Sequence, residues 1–263
     1  MLPRVPLRSQ TFEALNLDAL EAVASSFRRQ PCHVNKSDYA YGGDNIVLEM
    51  KFDDGVAWIA RLRLHEPKFL QARGDFDQVF VSEVATLKWV KRETTIPVPT
   101  VFVSDARNNN EVGQPYILME AMPGNRLWGG GATNYIPDNF KETVYRQFVD
   151  FMLQLYSHPF HEIGMLYPDA HGKECIGEIV DQHARLPNYG PFTNTSIFYE
   201  TRGKLLRDYY TNSPSLEAPF NPIEKADFKI KAISQIVEPK FTNGPFYIGH
   251  PDFQVRLRRV TVF

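Results

Sequence analysis

The stretch Asn45-Ile46-Val47-Leu48-Glu49-Met50-Lys51-Phe52-Asp53-Asp54-Gly55-Val56-Ala57-Trp58-Ile59-Ala60-Arg61-Leu62-Arg63-Leu64 decides the fold. Two extended apolar-rich runs flank Asp-Asp-Gly, in which glycine supplies the positive φ of a tight turn. The segment therefore reads as an antiparallel hairpin. Just before it, Tyr41-Gly42-Gly43-Asp44 reads as a second turn, again because glycine tolerates positive φ.

Moving outward, residues 16–29 show helical period, with Leu17, Leu20, Val23, Ala24 and Phe27 on one face. Asn16 is a suitable N-cap, Arg28 and Arg29 complement the C-terminal dipole, and Pro31 stops the helix. A second helix is predicted over 77–92, with Val81, Val84, Leu87 and Val90 on one side. It must end by Ile96-Pro97-Val98-Pro99, because neither proline donates a helical hydrogen bond. Val101-Phe102-Val103 reads as a short strand, 105–114 as a polar loop, and Tyr116-Ile117-Leu118-Met119-Glu120 as a buried-type strand broken at Pro123-Gly124. Thereafter the pattern is helical: 140–157 is amphipathic through Val144, Phe148, Phe151, Met152 and Leu155, and 205–210 and 226–237 follow. The expected architecture is α+β in two lobes, a small antiparallel-sheet lobe over 1–122 and a mainly helical lobe over 123–263.

Composition narrows the function. With 263 residues, 43% apolar and 23% charged, the chain reads as an ordinary globular protein of one to two domains. A net charge of −2 argues against nucleic-acid or membrane-surface binding by bulk electrostatics. No apolar run reaches membrane-spanning length, and the N-terminus lacks the apolar core of a secretory signal, so a cytoplasmic setting is expected. Cys32 and Cys175 form neither a disulfide framework nor a CxxC zinc site, and the seven histidines have no metal spacing. There is no nucleophile elbow, Walker A motif or G-x-G-x-x-G, and Gly129-Gly130-Gly131 reads as a loop.

One ordered constellation remains: a cation on the hairpin (Arg61), an acid on the following helix (Glu83), a strand ending at Glu120-Ala121-Met122, and a late His250-Pro251-Asp252. Taken singly, these are solvated charges and a loop cap. In this order they match what phosphoryl transfer needs, which is a cation near nucleotide phosphates, an acid pinning it, a backbone edge for the base and an aspartate for the acceptor hydroxyl. The chain resembles the aminoglycoside phosphotransferase and choline-kinase-like group, which shares the protein-kinase fold, and most closely its fungal-type members. The matching stretches are Asn45-Ile46-Val47, Trp58-Ile59-Ala60-Arg61, Ser82-Glu83-Val84-Ala85-Thr86-Leu87, Ile96-Pro97-Val98-Pro99, Pro115 to Glu120 with Met122-Pro123-Gly124, Ile163-Gly164, and His250-Pro251-Asp252-Phe253.

The resemblance implies an ATP- (or GTP-) and Mg2+-dependent phosphotransferase acting on a small-molecule hydroxyl, with nucleotide and acceptor as partners. Arg61 would contact phosphate as a fork rather than a point charge, and Glu83 would be its ion-pair partner. Glu120 to Met122 would form the hinge that bonds adenine through its backbone, Asp252 would orient the acceptor, and Gly42-Gly43 would help cover the phosphates. The chain departs from the pattern where the family places a magnesium-binding asparagine five residues after the aspartate. Leu257 stands there, and no later magnesium aspartate follows. The expectation is a chain truncated at the catalytic loop, without its metal ligands and with weak or no transfer activity. The alternative is a non-catalytic kinase-like binding module. Acidic residues later in the chain, among them Asp169, Glu178 and Asp181, are candidates for attracting a cationic acceptor and are otherwise surface charges.

Overall fold

A computed structural model of the chain describes residues 12–41, 45–63, 77–124, 138–181, 186–212, 223–224, 227–228, 230–232 and 238–249. The chain divides into two compact units, the first ending at Asn125. The first contains α1 (Leu17–Arg28), β1 (Cys32–Tyr41), β2 (Asn45–Phe52), β3 (Ala57–Arg63), α2 (Gln78–Glu93), β4 (Val101–Asp105) and β5 (Tyr116–Glu120). Its strands make one antiparallel sheet in the order β1-β2-β3-β5-β4.

The β2–β3 hairpin forms as its sequence dictates. Gly55 adopts φ +84° at the turn, and Phe52 and Val56 close it with a 2.9 Å backbone bond. Alternation then sorts the side chains by face. Ile46, Leu48, Met50 and Phe52 of β2 and Trp58, Ala60 and Leu62 of β3 are all buried, joined by Leu118 of β5 and by Leu17, Leu20 and Ala24 of α1. This cluster is the main core, and each fully buried aliphatic side chain contributes about 1.5–3 kcal/mol. The second cluster packs α2 through Phe80 and Val84 onto Ile117, with Val101 and Met119 beside it. The strand β5 is apolar on successive residues because a helix-bearing cluster lies on each of its faces.

Local signals set the helix ends. Asn16 accepts from the Ala19 amide at 3.1 Å at the start of α1. Arg29 closes it in the left-handed region at φ 58°. Arg28 turns aside to Asp54 at 2.8 Å and ties the end of α1 to the β2–β3 turn. That hydrogen bond holds the Asp54 carboxyl below its ordinary range. Asp77 caps α2 by accepting from the Phe80 amide at 3.0 Å.

Two elements of the first unit differ from the sequence expectation. Strand β1 is absent from the sequence expectation, which assigns no element between Pro31 and the turn at 41–44; Cys32-His33-Val34-Asn35-Lys36-Ser37 is largely polar. It forms because β2 offers an open edge, and its irregular register between Val34 and Tyr39 is a feature of sheet edges. Strand β4 runs two residues further than expected, to Asp105.

The second unit contains α3 (Asp138–Tyr156), the hairpin β6 (Met165–Pro168) and β7 (Glu174–Gly177), α4 (Thr195–Asn212) and a 3-10 turn at Pro239–Phe241. The fold class is α+β, as expected, with the antiparallel sheet in the first unit and two long helices in the second. Phe148, Phe151 and Leu155 of α3 are half-buried, whereas Phe140, Val149 and Leu153 are exposed. Helix α4 is ten residues longer at its N-terminal end than the 205–210 reading, and Gly203 within it allows Ile230 to approach closely. Among the described residues no helix is long and apolar enough to cross a membrane. Gly42-Gly43, Gly129-Gly130-Gly131, His250-Pro251-Asp252 and Leu257 lie outside the described residues, as does much of the expected 226–237 helix.

Leu48 has no exposed surface and Lys51, on the opposite face, is exposed. Leu48→Ala is expected to lower stability by about 3 kcal/mol in urea unfolding, and Lys51→Ala by less than about 0.5 kcal/mol. Equal effects would contradict this assignment of faces.

Candidate functional site

Strand β3 places its charges by the same alternation that builds the core. Residues 58, 60 and 62 face α1, so Arg61 and Arg63 both face α2. Arg61 lies between Val47 of β2 and Ile117 of β5 in the ladder, which fixes its backbone on both sides. Its guanidinium donates from Nη1 to Oε1 of Glu83, on the second turn of α2. Both side chains are about four-fifths buried, at 18% and 22% exposure, so the pair is shielded from water far more than a surface ion pair.

The pair does not stand alone. Arg63 Nη1 lies 3.9 Å from Glu83 Oε2, and its Nε lies 3.7 Å from Asp77 Oδ2. Arg63 and Asp77 are the two most buried charged residues of this set. Asp77 caps α2 through Oδ1, and its amide donates to Ala106 at 3.0 Å. Two guanidiniums and two carboxylates thus run from the middle of β3 to the first turn of α2.

The segment read as a hinge is held separately. Glu120 ends β5, and its Oε2 accepts from the Thr100 amide at 3.0 Å and the Thr100 hydroxyl at 2.8 Å. Its own amide donates to the Thr100 carbonyl at 2.9 Å. Lys91, near the end of α2, lies 3.5 Å from the same carboxylate and donates to the Val98 carbonyl at 2.9 Å. The Thr100 amide bond, more than the hydroxyl or Lys91, holds the Glu120 carboxyl below its usual range. The Glu120 side chain and amide are therefore committed to structure, while Met122 beyond it is exposed.

Of the residues singled out in the sequence, Arg61 and Glu83 come together. Glu120 ends the strand three places from Arg61 in the ladder, since Glu120 pairs with Trp58 and Ile117 with Arg61, and Met122 follows two residues beyond the strand. Asp252 lies outside the described residues. Sequence reasoning passed over Arg63 and Asp77 as site residues, although the two-residue spacing of Arg61 and Arg63 signals a shared face. In the second unit, Asp169 closes the β6–β7 turn by accepting from the His171 and Lys173 amides. Asp181 pairs with Arg202 at 3.0 Å, and Glu178 accepts from Asn188 at 3.3 Å. These acids have structural partners. Among the described residues no group of three His, Cys, Asp or Glu side chains is placed to hold a metal ion.

No protein-family model matches the chain. Two subtelomeric hrmA-associated cluster proteins from strains of Aspergillus fumigatus are each 30% identical, over 128 and 127 residues. These matches cover 47% and 46% of this chain and 24% of each relative. The protein called altered inheritance of mitochondria protein 9, mitochondrial, of Meyerozyma guilliermondii is 25% identical over 191 residues, covering 73% of this chain and 28% of its own. The chain spans about a quarter of the length of the curated relatives it matches. Among solved structures, the Rio2 kinase-ADP/Mg2+-phosphoaspartate complex from Chaetomium thermophilum aligns over 83% of this chain and 70% of its own, with a TM-score of 0.38 and 14% identity.

The tie between Glu120 and Thr100 has a definite pH signature. A carboxyl whose folded pKa is depressed stabilises the fold fully above its unfolded pKa, about 4.3 for glutamate. That contribution is lost as pH falls through the lower folded value. Carboxyl-carbon NMR titration should place the Glu120 midpoint below the ordinary glutamate value of about 4.3, and Thr100→Ala should move it upward. An unshifted midpoint in the parent protein would remove the tie.

Proposed function

We propose that the first unit is the nucleotide-binding part of a kinase-type phosphotransferase, with Arg61 as the phosphate-contacting cation and Glu83 as the acid that orients it. The observation that carries this reading is the largely buried Arg61–Glu83 ion pair bridging the central strand β3 and helix α2. Phosphoryl transfer asks little covalent chemistry of a protein and much positioning of charge. A guanidinium has five N–H donors in a rigid plane, so one edge can bind Glu83 while another presents a fork to phosphate oxygens. The low exposure of the pair strengthens such contacts relative to those in water.

The rest of this sheet face suits a nucleotide. Val47 and Ile59 of the hairpin and Met119 of β5 are half-buried apolar side chains around Arg61, a surface on which an aromatic base can pack. The segment Ala121-Met122, just past the end of β5, is where backbone groups for hydrogen bonding to the base are proposed. In the same reading Asp252 orients a small-molecule acceptor hydroxyl. Magnesium, when bound, would neutralise the phosphate oxygens; among the described residues no group of three His, Cys, Asp or Glu side chains is placed to hold it. ATP or GTP is the expected nucleotide, and the acceptor belongs to the whole protein rather than to this unit.

A second reading is a nucleotide-binding module without turnover, favoured by Leu257 at the place of the family's magnesium-binding asparagine. Turnover separates the two. Consumption of ATP with small alcohols, abolished by Asp252→Asn, supports the phosphotransferase; binding without consumption supports the module.

Both readings require nucleotide binding. Titration of the full chain with a fluorescent ATP analogue, with and without Mg2+, should show saturable binding. Arg61→Met should weaken it about 10- to 100-fold, the loss of a charge-assisted hydrogen bond, and Arg61→Lys should weaken it less. Equal affinity in the parent and Arg61→Met, with both folded, would remove Arg61 from the phosphate site.

A further inference from the structure

We infer that the outward face of α3 is a self-association surface, on which a second copy of this chain docks antiparallel about a two-fold axis level with Phe148. The feature that points to it is a helix that is apolar on two faces. Val144, Phe148, Phe151 and Leu155 form the half-buried row. A helix with one packed face carries polar residues away from that row. Here Tyr145, Val149 and Leu153 recur at four-residue spacing and Tyr156 continues them. All four are exposed, Val149 at 53% and Leu153 at 61%. Tyr247 meets Tyr156 edge-on, with ring centroids 5.2 Å apart, and is itself exposed, so the stripe extends past the helix end. Such a stripe gains free energy by leaving water against another apolar surface.

The charges beside the stripe select the occupant. Arg146 and Asp150 are both exposed and lie one turn apart along the same edge of it. At 3.6 residues per turn they sit about 60° and about 100° round the axis from Val149, while Phe148 and Met152 sit on the other side. A two-fold axis perpendicular to the helices brings each edge against the same edge of the second copy and reverses the order along it. Level with Phe148, that axis sets Arg146 of each copy opposite Asp150 of the other, so two residues supply two ion pairs. The same operation seats Tyr145 between Val149 and Leu153 of the second copy, as interdigitating knobs. Parallel helices would instead set this charged edge against Phe148 and Met152.

The two charged groups have capacity for these bonds. Arg146 binds Glu142 of its own helix through Nε and Nη2, and Asp150 accepts from Gln154 on Oδ2. Nη1 of Arg146 and Oδ1 of Asp150 are left for the pair between copies. One helix face is smaller than the roughly 800 Å² per partner of a standard interface, so the expected dissociation constant is about 1–100 µM.

Sedimentation velocity of the full chain from about 1 to about 300 µM should show the mass rising toward that of a dimer and stopping there. Val149→Asp should raise the dissociation constant by more than about 30-fold, with an unchanged circular dichroism spectrum. Arg146→Glu and Asp150→Arg, both on exposed positions, each oppose like charges and should each weaken self-association about tenfold. An equimolar mixture of these two variants should regain the parent affinity, because every pair in the mixed dimer is again of opposite sign. A parent chain that stays monomeric, a dimer that Val149→Asp leaves intact, or assembly that continues beyond two copies would each overturn the assignment of α3. Failure of the mixture to recover would overturn the antiparallel pairing.

Discussion

The chain of charges from Arg61 through Glu83 and Arg63 to Asp77 is the constraint around which the first unit is arranged. It occupies the α2-facing side of β3, a central strand, where Arg61 and Glu83 are about four-fifths buried and Arg63 and Asp77 more so. Such a set contributes little net stability, because desolvation offsets the Coulombic attraction. Its effect is on position: α2 has one azimuth and one height at which Glu83 meets both guanidiniums and Asp77 meets Arg63. The energy that permits this comes from the other face, where Leu48, Met50, Trp58 and Leu62 meet α1.

Helix α2 is tied at both ends. Near its start, Asp77 joins cap and charge chain; near its end, Lys91 reaches both the Val98 carbonyl and the Glu120 carboxylate. The prolines at 97 and 99 keep the intervening chain extended, so that Thr100 arrives beside Glu120 with its amide and hydroxyl aligned. The end of β5 and the cation on β3 are therefore referred to the same helix. The proposed nucleotide site would gain from that common reference.

The second unit shows a different use of charge. Asp169 turns a hairpin, and Asp181 neutralises Arg202, whose Nη2 it accepts at 3.0 Å. A cluster of Tyr189, Phe192 and Phe198 packs beside them. Acids that look available in the sequence thus serve turns and ion pairs. The matched segments cover only 24% to 28% of the relatives' own length.

Alternation and periodicity determined a good part of this protein without tertiary information. The β2–β3 hairpin, α1, α2, β5 and α3 are read within a few residues because each carries its own signal in a window of neighbours: a Gly turn, an Asn or Asp cap, a two- or four-residue apolar repeat. The same alternation places Arg61 and Arg63 on one face. What it cannot supply is the partner. Glu83 follows Arg61 by 22 residues and Asp77 follows Arg63 by 14, and nothing local in either segment requires them to meet. The pairing of Arg61 with Glu83 was accessible only through resemblance, and the Arg63–Asp77 extension only through the packed structure. The same holds for β1, a polar segment that becomes a strand because β2 has an open edge, and for Glu120, whose carboxylate is spoken for by Thr100. Local sequence sets which face a side chain takes, because backbone geometry is periodic; which charge it meets there is decided by packing, because only the buried core fixes where α2 lies over the sheet.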